Sequence, residues 1–232
     1  PEKISIEINN YFLNLKKNKK FKALVTAGPT NEYIDPVRFI TNKSSGKQGY
    51  EIAKSLSKKG FDTTLISGPT NLKIDNNIKL IEVETANEML LETQKNLPTN
   101  VAIFSAAVAD FRINKVYENK IKKQGSLKLN LEMNTDILNY VSNHNSMRPD
   151  LVIGFAAETN DVENNAEKKL NYKNCDWIIA NDVSNKKIGF GSDFNEVTIH
   201  YKSKNKKREK LVYKKKSEIS DEIVDRIINQ LN

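Results

Sequence analysis

The chain predicts an open α/β domain: a mostly parallel sheet, doubly wound by helices on its two faces and completed by a C-terminal hairpin and helix. Three observations predict it. Strand-like and helix-like stretches alternate along most of the 232 residues, the pattern that builds parallel sheets through crossover helices. Two runs, Val101–Val108 and Leu151–Ala157, are almost wholly apolar, as strands covered on both faces must be. The stretch from the first strand to the next helix runs from Gly28 to Ser45, where an ordinary connection of this kind takes about 2–6 residues.

Glu2–Leu15, at the start of the chain, carries Ile4, Ile6, Ile8, Phe12 and Leu13 at loose helical spacing, and Lys16–Lys20 separates it from the first strand. Residues 1–20 are therefore read as a linker helix and 21–232 as the domain proper. Ala23–Thr26 is that first strand. Tyr50–Lys59 repeats Ile52, Ala53 and Leu56 on one helical face and is stopped by Gly60. Phe61–Ser67 and Ile78–Glu84 are strands, and Thr85 with Glu88 forms a capping-box pattern that opens the helix Ala86–Asn96. Val101–Val108 belongs in mid-sheet, and Leu127–Met133, which alternates apolar and polar residues, is expected to be a short edge strand.

Thr135-Asp136 caps the helix Ile137–Ser142, Leu151–Ala157 is another buried strand, and Asn160 or Asp161 begins a helix that reaches Tyr172. Asp176–Ala180 is a further strand. Val197–Tyr201 and Lys210–Tyr213 pair around a Lys-rich turn, and Ser217–Leu231 sets Ile219, Ile223, Ile227 and Leu231 on one stripe of a closing helix. This order is Rossmann-like, so ligands are expected beyond the carboxyl ends of the strands. Attention falls on Thr26–Gly28, Ser105–Asp110, Gly154–Asn160 and Asn181-Asp182. Glu158 reads as a carboxylate answering the positive end of the helix it precedes.

Composition narrows the classes. The net charge of +8 comes largely from Lys16–Lys20 and Lys202–Lys216, runs read as solvated surface. Neither a basic face with stacking aromatics nor a helix-turn-helix pattern is visible, which argues against nucleic acid. The single Cys175 excludes an internal disulfide and a Cys-based zinc site, reads as inert core, and suits a reducing cytoplasm. No apolar run approaches the roughly 20 residues that span a bilayer, so neither a membrane span nor a membrane partner is expected. Residue 1 is Pro, as in a piece of a longer product or a trimmed one.

Chemistry concentrates in the long connection. Ile34, Val37, Phe39 and Ile40 are not the residues of a solvated linker, and Pro29 and Pro36 restrict its backbone, which predicts an ordered binding loop. Its end, Ser44-Ser45-Gly46-Lys47-Gln48-Gly49, supplies hydroxyls able to cap a helix and glycines that open the first N–H groups to an anion. A packing role for the same small residues is the alternative. No Ser or Thr follows Gly46-Lys47 and no complete G-x-G-x-x-G is present, which counts against a P-loop and against a dinucleotide-binding reductase.

Several longer motifs then coincide. Ala27–Thr30 with Asp35–Arg38, Asn42–Lys47, Ala106–Asp110, Lys120–Lys123, Gly154–Thr159 and Ala180–Val183 resemble, in that order, the bacterial phosphopantothenoylcysteine synthetases. These form the synthetase half of a bifunctional coenzyme A biosynthesis flavoprotein, and the likeness covers about Lys22 to the C-terminus. The resemblance implies a ligase that joins 4'-phosphopantothenate and L-cysteine through an acyl-cytidylate. It uses CTP with Mg²⁺ and releases pyrophosphate and CMP. It also implies a cytoplasmic homodimer, for which the C-terminal hairpin is a candidate contact, and a preceding decarboxylase domain that alone uses FMN.

Residue by residue, the resemblance implies that Asn42 holds the acyl-cytidylate, that Arg38 serves turnover of the intermediate, and that Lys120 serves the nucleotide step. Asp110, Thr135, Asp136, Ile137, Leu138, Phe155, Lys169 and Lys173 match nucleotide-binding positions. Ser44, Ser45 and Gly46 are assigned to phosphate contacts, and Ala106, Ala107 and Asn181 join Arg38 and Asn42 as substrate contacts. Metal ligands are left unassigned. Thr135 stands where many members have Pro, which leaves that loop less rigid. Bringing a carboxylate to an anionic phosphate calls for positioning and for neutralisation by cations and N–H donors, which fits lysines, an arginine and amides.

Overall fold

The computed structural model describes residues 21–123, 125–184, 191–203 and 208–232; the linker helix read within 1–20 lies outside the described residues. β1 (Lys22–Ala27) is followed by a hairpin, β2 (Asn31–Asp35) and β3 (Arg38–Thr41), and by α1 (Lys47–Lys58). Then come β4 (Asp62–Ser67), β5 (Lys79–Glu82), α2 (Ala86–Lys95), β6 (Val101–Phe104), β7 (Phe111–Ile113) and β8 (Leu131–Met133). The remainder is α3 (Ile137–Ser142), β9 (Leu151–Glu158), α4 (Val162–Lys173), β10 (Trp177–Asp182), β11 (Phe194–Tyr201), β12 (Arg208–Lys215) and α5 (Lys216–Leu231).

The main sheet has the order β12-β11-β10-β9-β6-β1-β4-β5. From β10 to β5 every neighbour is parallel, and β11 and β12 are antiparallel. After β5 the chain crosses back to lay β6 on the other side of β1, so the winding reverses between these two strands, where a crevice opens beyond their carboxyl ends.

Alternation along the strands explains the two covering layers. Val25, Ile103, Ile153 and Ile179 face α1 and α5, whose Ile52, Leu56, Ile219, Ile223 and Ile227 are buried against them. Leu24, Ala102, Val152 and Ile178 face α2, α3 and α4 through Met89, Val141, Ala166 and Leu170. Each such large apolar side chain contributes about 1.5–3 kcal/mol when fully buried. No helix among the described residues is long and apolar enough to cross a membrane.

The structure departs from the sequence reading at four places. The apolar run from Val101 keeps strand geometry only to Phe104; beyond it the chain peels toward the hairpin, with the Ala107 N–H donating to the Gly28 carbonyl at 2.9 Å. Leu131–Met133 pairs with β7 as a separate ribbon instead of edging the main sheet. Gly46, and not a serine hydroxyl, caps α1, in a left-handed conformation with no side-chain cap bond; Asp161 begins α4 as read, but its carboxylate accepts from the Asn164 side chain at 2.7 Å and from no helix N–H. Lys216, read as part of a solvated run, is 7% exposed, because α5 starts against the sheet and draws its first residue inward.

Candidate active site

The long connection is ordered because it folds on itself. β2 and β3 pair in antiparallel register, and Pro36-Val37 turns between them. Asp35, fully buried, holds the turn: its carboxylate accepts from the N–H groups of Val37 at 2.9 Å, Arg38 at 3.0 Å and Ile121 at 3.2 Å, and from the Arg38 guanidinium Nε at 3.0 Å. The guanidinium, aided by these amides and opposed by burial, holds the Asp35 carboxyl well below the usual carboxylate range. Arg38 also donates to the Ile121 carbonyl at 3.2 Å, which ties the hairpin to the segment carrying Lys120.

A cavity of about 820 Å³ opens beyond the carboxyl ends of β1, β6, β9 and β10. Asn42, Ser44, Ser45 and Gly46 reach it from the hairpin exit, and Ala106, Ala107 and Asp110 from the link after β6. Thr135, Asp136, Ile137 and Leu138 line it from the start of α3, Phe155 and Asn181 from β9 and β10, and Lys169 and Lys173 from α4. Arg38 and Lys120 are not among its lining residues. The Arg38 guanidinium is committed to Asp35, and Lys120 lies on the exposed stretch after β7.

Close approach sets the floor of the cavity. A Cβ on Gly49 would lie 2.4 Å from Ser105 Oγ and 2.6 Å from Ala27 Cβ, so only glycine lets the first turn of α1 rest on β1 and the end of β6. Gly46, at φ 73°, sits where a Cβ would meet Thr70 Cγ2 at 2.9 Å. α1 has no acidic residue in its first turn, and its leading N–H groups lack intrahelical acceptors. Its start is thus open to an anion.

The Asn42 amide nitrogen donates to the carbonyls of Val108 at 3.0 Å and Ala107 at 3.3 Å. Two carbonyls can only accept, which fixes the amide's orientation and leaves its oxygen free to accept. Asp136 caps α3 by accepting from the Asn139 N–H at 2.8 Å and pairs with Lys173, whose ammonium also lies 5.1 Å from the Tyr172 ring centroid. Glu158 accepts from the Asn165 side chain at 3.4 Å, at the start of α4 and away from the cavity wall. Cys175 is buried, and burial pushes its thiol up to about 12, as suits inert core.

The sequence reading missed Lys216 and Asn195 and gave Lys47 no role of its own within its motif; all three line the cavity. A signal for Lys216 was its place at the junction of a strand and an amphipathic helix, where the lysine-rich composition of the run concealed it. Asn195 sits on an antiparallel strand whose nearness to the site depends on sheet order.

The DNA/pantothenate metabolism flavoprotein C-terminal domain family matches residues 18–231. The chain is 40% identical over 232 residues to the coenzyme A biosynthesis bifunctional protein CoaBC of Haemophilus influenzae, covering 99% of this chain and 57% of that protein. It is 42% identical over 207 residues to CoaBC of Bacillus subtilis, covering 88% and 50% respectively. The chain thus spans about half the length of the curated relatives it matches. The solved C-terminal domain of CoaBC superposes with a TM-score of 0.74 at 38% identity, over 91% of this chain and 95% of that one. The DNA/pantothenate metabolism flavoprotein from Streptococcus pneumoniae gives 0.75 at 26%, over 90% and 99%. A Cab2 mutant in complex with phosphopantothenate-cysteine gives 0.71 at 18%, over 100% and 94%, a likeness of fold. With the family matching nearly the whole described chain, this protein belongs to the DNA/pantothenate metabolism flavoprotein C-terminal domain family.

Proposed function

We propose that this chain is a phosphopantothenate–cysteine ligase of coenzyme A biosynthesis, acting in the cytoplasm. A 4'-phosphopantothenate carboxylate oxygen attacks the α-phosphorus of CTP, the bond to pyrophosphate breaks, and an acyl-cytidylate forms. The cysteine amine then attacks the acyl carbon, loses a proton, and releases CMP. The observation that carries this reading is the cavity at the strand ends, where Asn42, the open start of α1 and Lys169 converge in a domain that matches CoaBC at about 40% identity. Cations and amides there suit a reaction between two anions, in which positioning and charge neutralisation supply the catalysis.

Among the described residues no group of three or more His, Cys, Asp or Glu could hold a metal. Mg²⁺ fits such a wall when the nucleotide phosphates and waters supply most ligands and the protein adds one or two carboxylates. Asp110, on the cavity wall, is the carboxylate we assign to it; Mg²⁺ would neutralise triphosphate charge there. The flavin-dependent decarboxylase belongs, in this reading, to the part of the relatives that lies outside this chain.

We place Arg38 and Lys120 in the site across a homodimer. Val37, Phe39, Val116, Tyr117 and Leu131 expose apolar surface on the hairpin and the β7–β8 region, and Phe111 and Met133 are both exposed there and part of the cavity wall. An apolar face continuous with the mouth of the cavity suits a second copy, and it replaces the C-terminal hairpin as our choice of contact. The experiment is pyrophosphate release from a mixture of protein, CTP, Mg²⁺ and 4'-phosphopantothenate, followed by CMP on adding cysteine. Release supports the ligase; NADPH binding without release overturns it in favour of a dinucleotide module.

A further inference from the structure

Two helices start side by side at one end of the cavity wall, and each starts with a lysine. Lys47 opens α1 and Lys216 opens α5, and both line the cavity. Their starts are locked together: the Asn195 amide donates to Gln48 Oε1 at 3.1 Å, Gln48 donates to Ser220 Oγ at 2.9 Å, and Ser220 donates to the Lys216 carbonyl at 2.7 Å. This chain of bonds fixes the spacing of the two helix ends.

The charge at this end is out of balance. Lys216 is 7% exposed, and the one partner of its ammonium among the described residues is a neutral group, the Ser192 carbonyl at 2.6 Å. Lys47 donates to the Gly191 carbonyl at 3.0 Å and to Asp193 Oδ1 at 2.7 Å, but the Asp193 side chain is 75% exposed. Glu218, in the first turn of α5, accepts from the Lys215 N–H at 3.0 Å, outside the cavity wall. Burial, and then the Lys47 ammonium, push the Lys216 ammonium below its ordinary range, with the solvent-facing Asp193 carboxylate opposing them. Both helices add the positive ends of their dipoles. A buried ammonium beside a second ammonium is costly unless an anion answers it.

We propose that Lys216, with Lys47, forms a phosphate subsite at this end of the cavity, which takes the phosphate tail of the nucleoside triphosphate and holds pyrophosphate as it leaves. This rests on the ligase reading above and goes beyond it by giving the tail its place. Lys216 contributes a fixed, dehydrated charge, and Lys47 a second that exchanges the solvent-facing Asp193 for phosphate.

The test compares binding of CTP, CMP and 4'-phosphopantothenate to the wild-type chain and to Lys216→Met, which keeps the aliphatic stem. Losing one charge-assisted contact is expected to weaken CTP about tenfold while leaving CMP and 4'-phosphopantothenate unchanged. Should Lys216→Met fail to fold, Lys47→Gln carries the same expectation at a more exposed position. CTP and CMP weakening alike, or no change in CTP, overturns the subsite. Weakening of 4'-phosphopantothenate alone assigns the lysines to that substrate's phosphate and overturns the nucleotide assignment. A wild-type chain that binds no CTP sinks the ligase reading and the subsite together.

Discussion

His200 shows how a single side chain ties this fold to pH. It is buried on β11 beneath α4, and neither ring nitrogen has a hydrogen-bond partner among the described residues. Burial lowers its pKa, with Glu167 and Glu163 of α4 opposing the shift and Arg208 of β12 assisting it. The folded chain therefore refuses a proton that the unfolded chain accepts. Stability should be flat above about pH 6.5, the unperturbed histidine value, and fall below it by up to about 1.4 kcal/mol per pH unit until the folded-state pKa is passed. Urea melts across that range check it: His200→Leu should remove this part of the slope, and an unchanged slope would clear His200 of the effect. Nothing in the sequence marked this residue, because a histidine in an alternating strand reads the same whether its neighbours satisfy it or not.

Among the elements, the α1–β1 contact has little slack. Gly49→Ala drives a methyl against Ser105 Oγ and Ala27 Cβ, with ideal separations of 2.4 and 2.6 Å. Overpacking of this kind costs about 1–3 kcal/mol, measurable as a lower denaturation midpoint. It should also weaken nucleotide binding, since α1 moves off the strand that positions its start; full stability in the variant would show that the helix has room to shift. The elements themselves were largely legible, since apolar periodicity reports burial directly: Ile52 and Leu56, and Ile219 with Ile223, all lie in the core as their spacing implied. The end of β6 was not, because Ser105–Val108 leave the sheet to meet the hairpin, and that partner lies far away in sequence. The pairing of β7 with β8 escaped for the same reason.

Across the whole molecule, the cavity brings together residues as far apart in sequence as Thr26 and Lys216, although none between Tyr50 and Ile103 contributes. The motif residues at strand ends were readable because the winding of the sheet sends those ends to one edge. Arg38 and Lys120 were readable as motif residues but not as absentees from the cavity, since their distance from it depends on how the hairpin and the stretch after β7 fold. The shared site proposed above makes a definite forecast. Asn42→Asp and Lys120→Gln should each abolish turnover, and a mixture of the two after subunit exchange should regain part of it, because one of the two sites in a mixed dimer keeps both native residues. A mixture as inactive as its components would confine the reaction to a single subunit. The buried carboxylate of Asp35 gives this arrangement one more property. It grips the Arg38 side chain with one hand and the Ile121 peptide, next to Lys120, with the other. The hairpin turn and the backbone beside Lys120 therefore share one anchor, so that losing a single buried carboxylate would unfasten both at once.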